Sequence, residues 1–585
     1  MDGLPSSSAD AVRAAAVRQQ LLLVAASLLV CALAFTWTVG TAPILGDEAQ
    51  HFRRAVTYFQ EPWPDFRTTH DPAYPLAGEC AVRYWDASLW HMGLAIVWKA
   101  MGHASFTAAQ VYHLVYLALL AIFTYLAARE LYGNAGGGWA WGLAVSMPVN
   151  LLFGTVFYLE VPAAAMSAMA VYFILRRRPL WLGIALAGMF YLKMPSAAVL
   201  APPLVLAALL RMGDTWRRRA ARTALAAAVA FALFLPDMLW RMEHFGRPVI
   251  FTESLSLSYQ TYAIARLPAM TRGAIPLSVI EPAVAVQTFG LPGLAAFAAA
   301  LVAAAWGLGH SVRRLGARVR ESGVREALRS LADLVPAETA VAGLPLLGYV
   351  VAYVVFLPAN YDVRYLYPAL VFVALLGGGL LARVRPFARR GAGGWLVRAA
   401  AGLLVLAMIV QAAAVPAVVR QRRVLPPTVA AGFEWIQGHV PADARILYLE
   451  YNLVSMTGRP IIWGALVPRY FFTATEPEQV QILRYFDIRY IAVPPARFVE
   501  KVEPAVEPRG YPIGWVRALA SRPYLSRVYP DHDCDVGSGE FVLYRVDLQK
   551  APQEWLASPP YEPCAGVPEP PPPRPPGQGA RALTP

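Results

Sequence analysis

The sequence predicts a polytopic α-helical membrane protein with a C-terminal extracytoplasmic α/β domain, and three observations carry that reading. The 585 residues are 57% hydrophobic and only 15% charged, with a mean hydropathy of +0.44, well outside the range of ordinary soluble domains. The apolar residues gather into runs of about 14 to 26 residues, where a bilayer takes roughly 20. Lys and Arg stand in short clusters between those runs, as topology determinants do. The net charge of +13 is therefore no argument for nucleic acid, and none is expected as a partner.

The first run, 20–40, has full span length and no small-residue cleavage site after it, so it reads as a retained anchor behind a cytoplasmic N-terminus, 1–19. Further spans are expected at 106–128, 137–157, 161–175, 179–192, 196–210, 223–240, 283–308, 340–357, 365–381 and 395–418, about eleven in all. The stretch 88–101 decides the topology. It is short and carries His91 and Lys99, which favours an interfacial or re-entrant helix over a span. The clusters Arg176 to Arg178, Arg211 with Arg217 to Arg222, Arg313 to Arg329 and Arg383 to Arg390 then all fall on the N-terminal side, as the positive-inside rule asks. The first outer loop 41–105, the Glu160 and Lys193 turns, the outer loop 241–282, the 360–364 turn and everything after 420 share the opposite face. The basic run 313–329 reads as a solvated face that touches anionic lipid.

The membrane module accordingly covers 20–420, and beyond it the pattern changes. Helical spacing at 428–439 and 476–486 alternates with strand patterns at 445–451, 489–493 and 540–546, which predicts an α/β domain over 421–548. It has no GxGxxG or GxxxxGK[ST], so nothing in it argues for a nucleotide. The segment 549–585 is proline-rich and expected to be an extended, disordered tail. Cys31, Cys80, Cys534 and Cys564 make no CxxC or Cys/His pattern for a metal, and a Cys534–Cys564 disulfide is one pairing open to an outer compartment.

Directly after the first span comes Gly46-Asp47-Glu48-Ala49-Gln50-His51-Phe52. A helix starting at Asp47 would put His51 and Arg54 on one face and Phe52, Val56 and Phe59 on the other, so it would lie amphipathically along the membrane. Asp47 with Gln50 also has capping-box spacing, which would give the carboxylate a purely structural use. Other ionisable residues tip the balance: Glu160, Lys193, Asp237, Arg241, Asp362 and Arg364 all fall at predicted outer ends of spans. Each alone is explained by snorkelling or pairing. Together they suggest a polar cavity with carboxylates to handle a proton and cations to hold a phosphate. Asp47, Glu48 and His51 have the types to ligate a divalent metal, but an Asp and a His four apart on a helix are common by chance, and no metal or other cofactor is expected.

These features resemble the GT-C glycosyltransferases. The resemblance rests on the Asp47-Glu48 pair after the first span, a large outer loop with a short apolar helix and Leu89-Trp90-His91, Glu160-Val161-Pro162 at a turn, Arg364-Tyr365-Leu366-Tyr367-Pro368 entering a late span, and the outer α/β domain. The look is closest to the branch of the protein O-mannosyltransferases and the bacterial aminoarabinose transferase. The resemblance implies transfer of a sugar from a polyprenyl-phosphate donor to an acceptor on the extracytoplasmic face of the cell membrane. It makes Asp47 the base, Glu48 its neighbour and Glu160 an aid to the acceptor or the base. Lys193 and Arg364 are then the candidates to take the departing lipid phosphate, and His51, His91 and Tyr365 are candidates for a supporting place in the site. One departure stands out: relatives often carry Lys-Pro where this chain has Asp86-Ala87, so either Arg83 or a residue from another loop replaces that lysine, or donor binding differs. Thr68-Thr69-His70-Asp71-Pro72 is loosely similar to the dolichol-dependent glucosyltransferases, which leaves the sugar open, and the acceptor is unknown. The rival readings are a transporter or lipid-linked sugar flippase, and a non-catalytic assembly factor.

Overall fold

The computed structural model describes residues 46–60, 89–245, 282–356, 363–387, 425–448, 457–459, 461–463, 475–493, 518–532 and 540–558, with isolated positions at 18–32 and 403–410. The chain divides into two compact units. One comprises Met1–Val39, Ala109–Leu235 and Arg266–Val419; the other comprises Gly40–Ala108, Pro236–Ala265 and Arg420–Pro585.

In chain order the helices are α1 (Gly46–Gln60), α2 (Leu89–Met101), α3 (Phe106–Ser146), α4 (Pro148–Gly154), α5 (Glu160–Leu175), α6 (Pro179–Leu192), α7 (Met194–Arg211), α8 (Trp216–Phe245), α9 (Pro282–Arg329), α10 (Leu331–Leu334), α11 (Leu344–Phe356) and α12 (Leu370–Phe387). A π-helical turn, Thr339–Gly343, precedes α11, and a 3-10 helix, Val363–Ala369, precedes α12. Among the described residues four stretches are long and apolar enough to cross a membrane: Phe106–Val145, Trp216–Leu239, Gly293–Ala327 and Leu366–Arg383. Glu160–Leu175, Pro179–Leu192, Ser196–Arg211 and Thr339–Ala352 are shorter apolar helices. The expected spans 20–40 and 395–418 lie almost wholly outside the described residues. Large apolar side chains such as Phe231, Leu233, Val302 and Trp306 stand exposed on the long helices, a surface that belongs in lipid.

Two expected spans, 106–128 and 137–157, differ in detail. Helix α3 runs through both, broken at Gly133, whose φ of 74° is open to glycine without steric cost. Residue 137 lies beside Tyr125 and Arg129, so the chain reverses there. The second arm ends at Ser146 because Pro148 cannot continue it and instead opens α4. Prolines likewise sit in the first turns of α6 and α7, where a missing N–H costs nothing.

Polar contacts gather the basic clusters at one end of this unit. Arg176 pairs with Glu130 at 3.3 Å, Arg177 and Arg218 both pair with Asp214, Arg383 pairs with Glu338, and the Arg211 guanidinium donates to the Val335 carbonyl. Val335 follows the basic run 313–329, so all four clusters are brought to that end. Helices α5 and α7 start at the opposite end, and α6 finishes there.

The second unit holds a five-stranded sheet in the order β2-β1-β3-β5-β4, with β1 (Arg445–Tyr448), β2 (Ile461–Trp463), β3 (Ile488–Val493), β4 (Leu525–Tyr529) and β5 (Val542–Val546). Strands β2, β1 and β3 are parallel; β5 runs antiparallel to both β3 and β4. Helices α13 (Pro427–His439), α14 (Glu476–Tyr485) and α15 (Gln553–Leu556) complete it. The Glu478 carboxylate starts α14 by accepting from the Thr475 N–H and hydroxyl, each at 2.9 Å. Arg459, its pKa lowered by burial, donates to the carbonyls of Gln437, Val440 and Thr457 and so caps the C-terminal end of α13. Two cores flank the sheet. Val480, Leu483, Phe486, Ile491 and Tyr544 lie in one; Val429, Phe433, Ile436, Tyr448, Phe541 and Leu543 lie in the other.

Ala49 of α1 belongs to that second core. The helix after the first span is therefore packed into the C-terminal sheet layer. Gly432 of α13 meets the same core so closely that a Cβ there would collide with the Phe541 ring. Gly432→Ala is expected to lower stability by about 1–3 kcal/mol through overpacking, read as a fall in the thermal unfolding midpoint of the purified protein.

Candidate active site

Helix α1 begins at Gly46, so Asp47 stands inside the first turn and not ahead of it as a cap; that end of a helix favours a carboxylate. The side chain of Asp47 lies outside the described residues. On the face expected to meet water His51 is only 2% exposed and Arg54 is partly buried, and Glu48 beside Asp47 is 0% exposed. The reason is packing. Ala49 is taken up by the sheet core, and α2 covers the other side with Trp90, His91, Leu94 and Trp98. Helix α2 spans 13 residues, about 20 Å, short of a bilayer's apolar core.

Between α1 and α2 lies a contact that sequence reasoning did not find. His51 Nδ1 and His91 Nε2 are 3.1 Å apart, and both rings are buried. The Tyr58 ring stacks on His91 with centroids 6.5 Å apart, and Trp90 sits 6.2 Å from His51. At the far end of the helix pair, Phe52 and Phe59 edge onto Trp98, and Lys99 Nζ donates to the Phe59 carbonyl at 3.0 Å. The Arg83 that was expected to stand in for a missing lysine lies outside the described residues, as do Asp86 and Ala87.

The other unit brings together two residues singled out separately from sequence. Glu160 is the first residue of α5, with Val161 and Pro162 in its first turn, so the expected turn lies just before it. Lys193 separates α6 from α7 with φ −152° and ψ 88°, a break in the helical path. The two side chains are almost fully buried and form an ion pair at 3.3 Å. Its alignment is not that of a hydrogen bond, so Coulomb attraction in a poorly solvated place holds it. Arg364 and Tyr365 stand in the 3-10 helix packed against α5, their side chains outside the described residues. Pro368 delays the α-helix expected from 365 until Leu370. Asp237 is buried in α8.

Two residues in this unit were passed over. Gln110 and His113 are buried one turn apart on α3, and His113 Nε2 donates to the Phe153 carbonyl at 3.1 Å, which fixes its tautomer. The Phe153 ring in turn meets Tyr367 at 5.7 Å. The available signal was two polar side chains three apart inside an apolar run.

No protein-family profile and no curated protein matches the chain. Solved structures do, and at 11–13% identity the likeness is one of fold: the chain has a fold similar to that of GT-C membrane glycosyltransferases. It is similar to the oligosaccharyltransferase AglB of Archaeoglobus fulgidus in complex with an inhibitory peptide and a dolichol-phosphate, at 11% identity and TM-score 0.57, over 91% of this chain and 75% of that one. It is also similar to ArnT of Cupriavidus metallidurans bound to undecaprenyl phosphate, at 13% identity and TM-score 0.52, over 91% of this chain and 98% of that one. Another structure of the Archaeoglobus oligosaccharyltransferase, in complex with Zn and sulfate, is 13% identical with TM-score 0.55, over 91% of this chain and 74% of that one. Among the described residues of this chain, no three His, Cys, Asp or Glu side chains gather as a metal would require.

Proposed function

We propose that the protein is a membrane glycosyltransferase that moves a sugar from a polyprenyl-phosphate donor to an acceptor on the extracytoplasmic side of the cell membrane. The observation that carries this reading is the likeness, over 91% of the chain, to two proteins whose structures hold a polyprenyl phosphate. In the reaction, the acceptor hydroxyl gives its proton to the Asp47 carboxylate as its oxygen bonds to the anomeric carbon. The bond from that carbon to the phosphate oxygen breaks, and the lipid phosphate departs without needing a proton at neutral pH. Its charge falls to Lys193 and Arg364, with Arg83 as a further candidate. Glu160, paired with Lys193, holds that side chain in place until the phosphate arrives.

A flippase for lipid-linked sugars is the second reading, favoured by the helix break at a buried charged residue, a feature of transporter binding sites. One experiment separates them. Purified protein in detergent is incubated with a panel of polyprenyl-phosphate sugars and membrane extract as acceptor. Loss of sugar from one donor with release of polyprenyl phosphate supports the transferase; an intact panel, with movement of donor across vesicle membranes, supports the flippase.

A further inference from the structure

Histidines 51 and 91 lie 40 residues apart in the chain, yet their Nδ1 and Nε2 atoms meet at 3.1 Å, with ring centroids 5.2 Å apart. Both are buried, among Tyr58, Trp90 and the faces of α1 and α2. Packing alone would be served by apolar side chains of similar volume. A hydrogen bond adds direction: it is strong only near one distance and angle, so it sets the rotation of α1 about its own axis against α2. Two neutral imidazoles bond this way only when one nitrogen carries the proton and the other presents its lone pair, so the contact also selects complementary tautomers.

Rotation of α1 matters because of what its first turn carries. His51 follows Asp47 by four residues and Glu48 by three, and side chains at those spacings share a helix face. A helix this short moves as a rigid rod, so a turn of His51 is a turn of the acidic pair. On the opposite side Ala49 enters the sheet core, a contact that resists separation but, with a single methyl group, resists rotation poorly.

We infer that His51 and His91 are positioning residues, a clamp whose Nδ1 to Nε2 hydrogen bond fixes the orientation of the Asp47-Glu48 turn for sugar transfer. The catalytic part of this inference rests on the glycosyltransferase reading; the clamp itself does not.

Side-chain geometry supplies a crossed test. The amide of Asn reaches the place of a histidine Nδ1, and the amide of Gln reaches that of Nε2. His51→Asn and His91→Gln therefore keep a hydrogen-bonding atom where the clamp needs one, whereas His51→Gln and His91→Asn misplace it. Two quantities are measured on all four variants in the full-length protein. One is transfer from the donor that the wild-type chain uses; the other is hydrogen exchange of the amides of 46–52. The matched pair is expected to stay within about threefold of wild type in kcat and to keep wild-type exchange. The mismatched pair is expected to lose about 10- to 100-fold in kcat, the scale of an ångström of misplacement, with KM for the donor within about twofold. Their 46–52 amides exchange at least tenfold faster while the thermal midpoint stays within a few degrees.

Equal exchange in all four variants overturns the clamp, as does a loss of activity that follows the thermal midpoint and not the matched or mismatched reach. Faster exchange in the mismatched pair only, with no transfer by wild-type protein from any lipid donor, keeps the clamp and overturns the glycosyltransferase reading on which its catalytic use rests.

Discussion

Asp47→Asn is expected to remove about 99% or more of sugar transfer while the amount of folded protein in the membrane stays at the wild-type level. The substitution keeps size and shape and takes away only the ability to accept a proton, a loss that typically costs 10²- to 10⁴-fold when the group is a general base. Its position in the first turn of α1 limits the stability effect to the lost attraction between a carboxylate and the helix start, about 0.3–1 kcal/mol. Glu48 should behave otherwise. It is fully buried, so Glu48→Gln is expected to lower both the thermal midpoint and the activity. Transfer assays on membranes matched for protein content measure the contrast, and a fully active Asp47→Asn variant would remove that residue from the chemistry.

The second large effect concerns the buried ion pair. Lys193→Met removes the cation that the buried Glu160 carboxylate faces, and Glu160→Gln removes the carboxylate that the ammonium faces, so each is expected to cost about 3–5 kcal/mol. The double variant removes both charges and should recover part of that loss. Transfer should not recover with it, because the departing phosphate still lacks its lysine. Thermal unfolding in one detergent and transfer from one donor, measured on the three variants, make the test. A Lys193→Met protein that is as stable and as active as wild type would leave the pair without either role.

Part of this arrangement is legible in the sequence for plain reasons. Helices α5 and α6 fall within a residue of the runs expected at 161–175 and 179–192, because an apolar run bounded by proline and arginine leaves little freedom in where a helix starts and stops. After 420 the helices α13 and α14 and the strands β1, β3 and β5 fall on the runs expected from periodicity, whereas β2 and β4 were not expected and α15 lies in a stretch expected to be a disordered tail, where Ala551, Trp555 and Leu556 join the core. Glu160 and Lys193 were visible as ionisable residues at span ends, though not as partners, because 33 residues of chain separate them and only the antiparallel path of α5 and α6 closes the gap.

Helix α1 was read less well, and the cause is physical. Its alternation of polar and apolar faces predicts a helix lying between water and lipid, but the polar face finds buried partners of its own. Nothing local to residues 46–60 announces that His91 will meet His51, or that Ala49, small and unremarked, will enter a core built from residues 429–543. Amphipathic periodicity tells which residues share a face; it does not tell what the face meets.

The place of Ala49 in the sheet core also bears on the order in which the protein is made. Residue 49 leaves the ribosome among the first tenth of the chain, whereas Phe541 and Leu543, its neighbours in that core, leave among the last. The acidic turn is thus written early and set late. Until strand β5 has been synthesised and paired, no completed core exists for α1 to dock against, so a half-made chain already threaded into the membrane carries its carboxylates in an unset helix. A chain cut before β5 is therefore expected to leave α1 without its place in the sheet core, read as faster hydrogen exchange of the 46–52 amides.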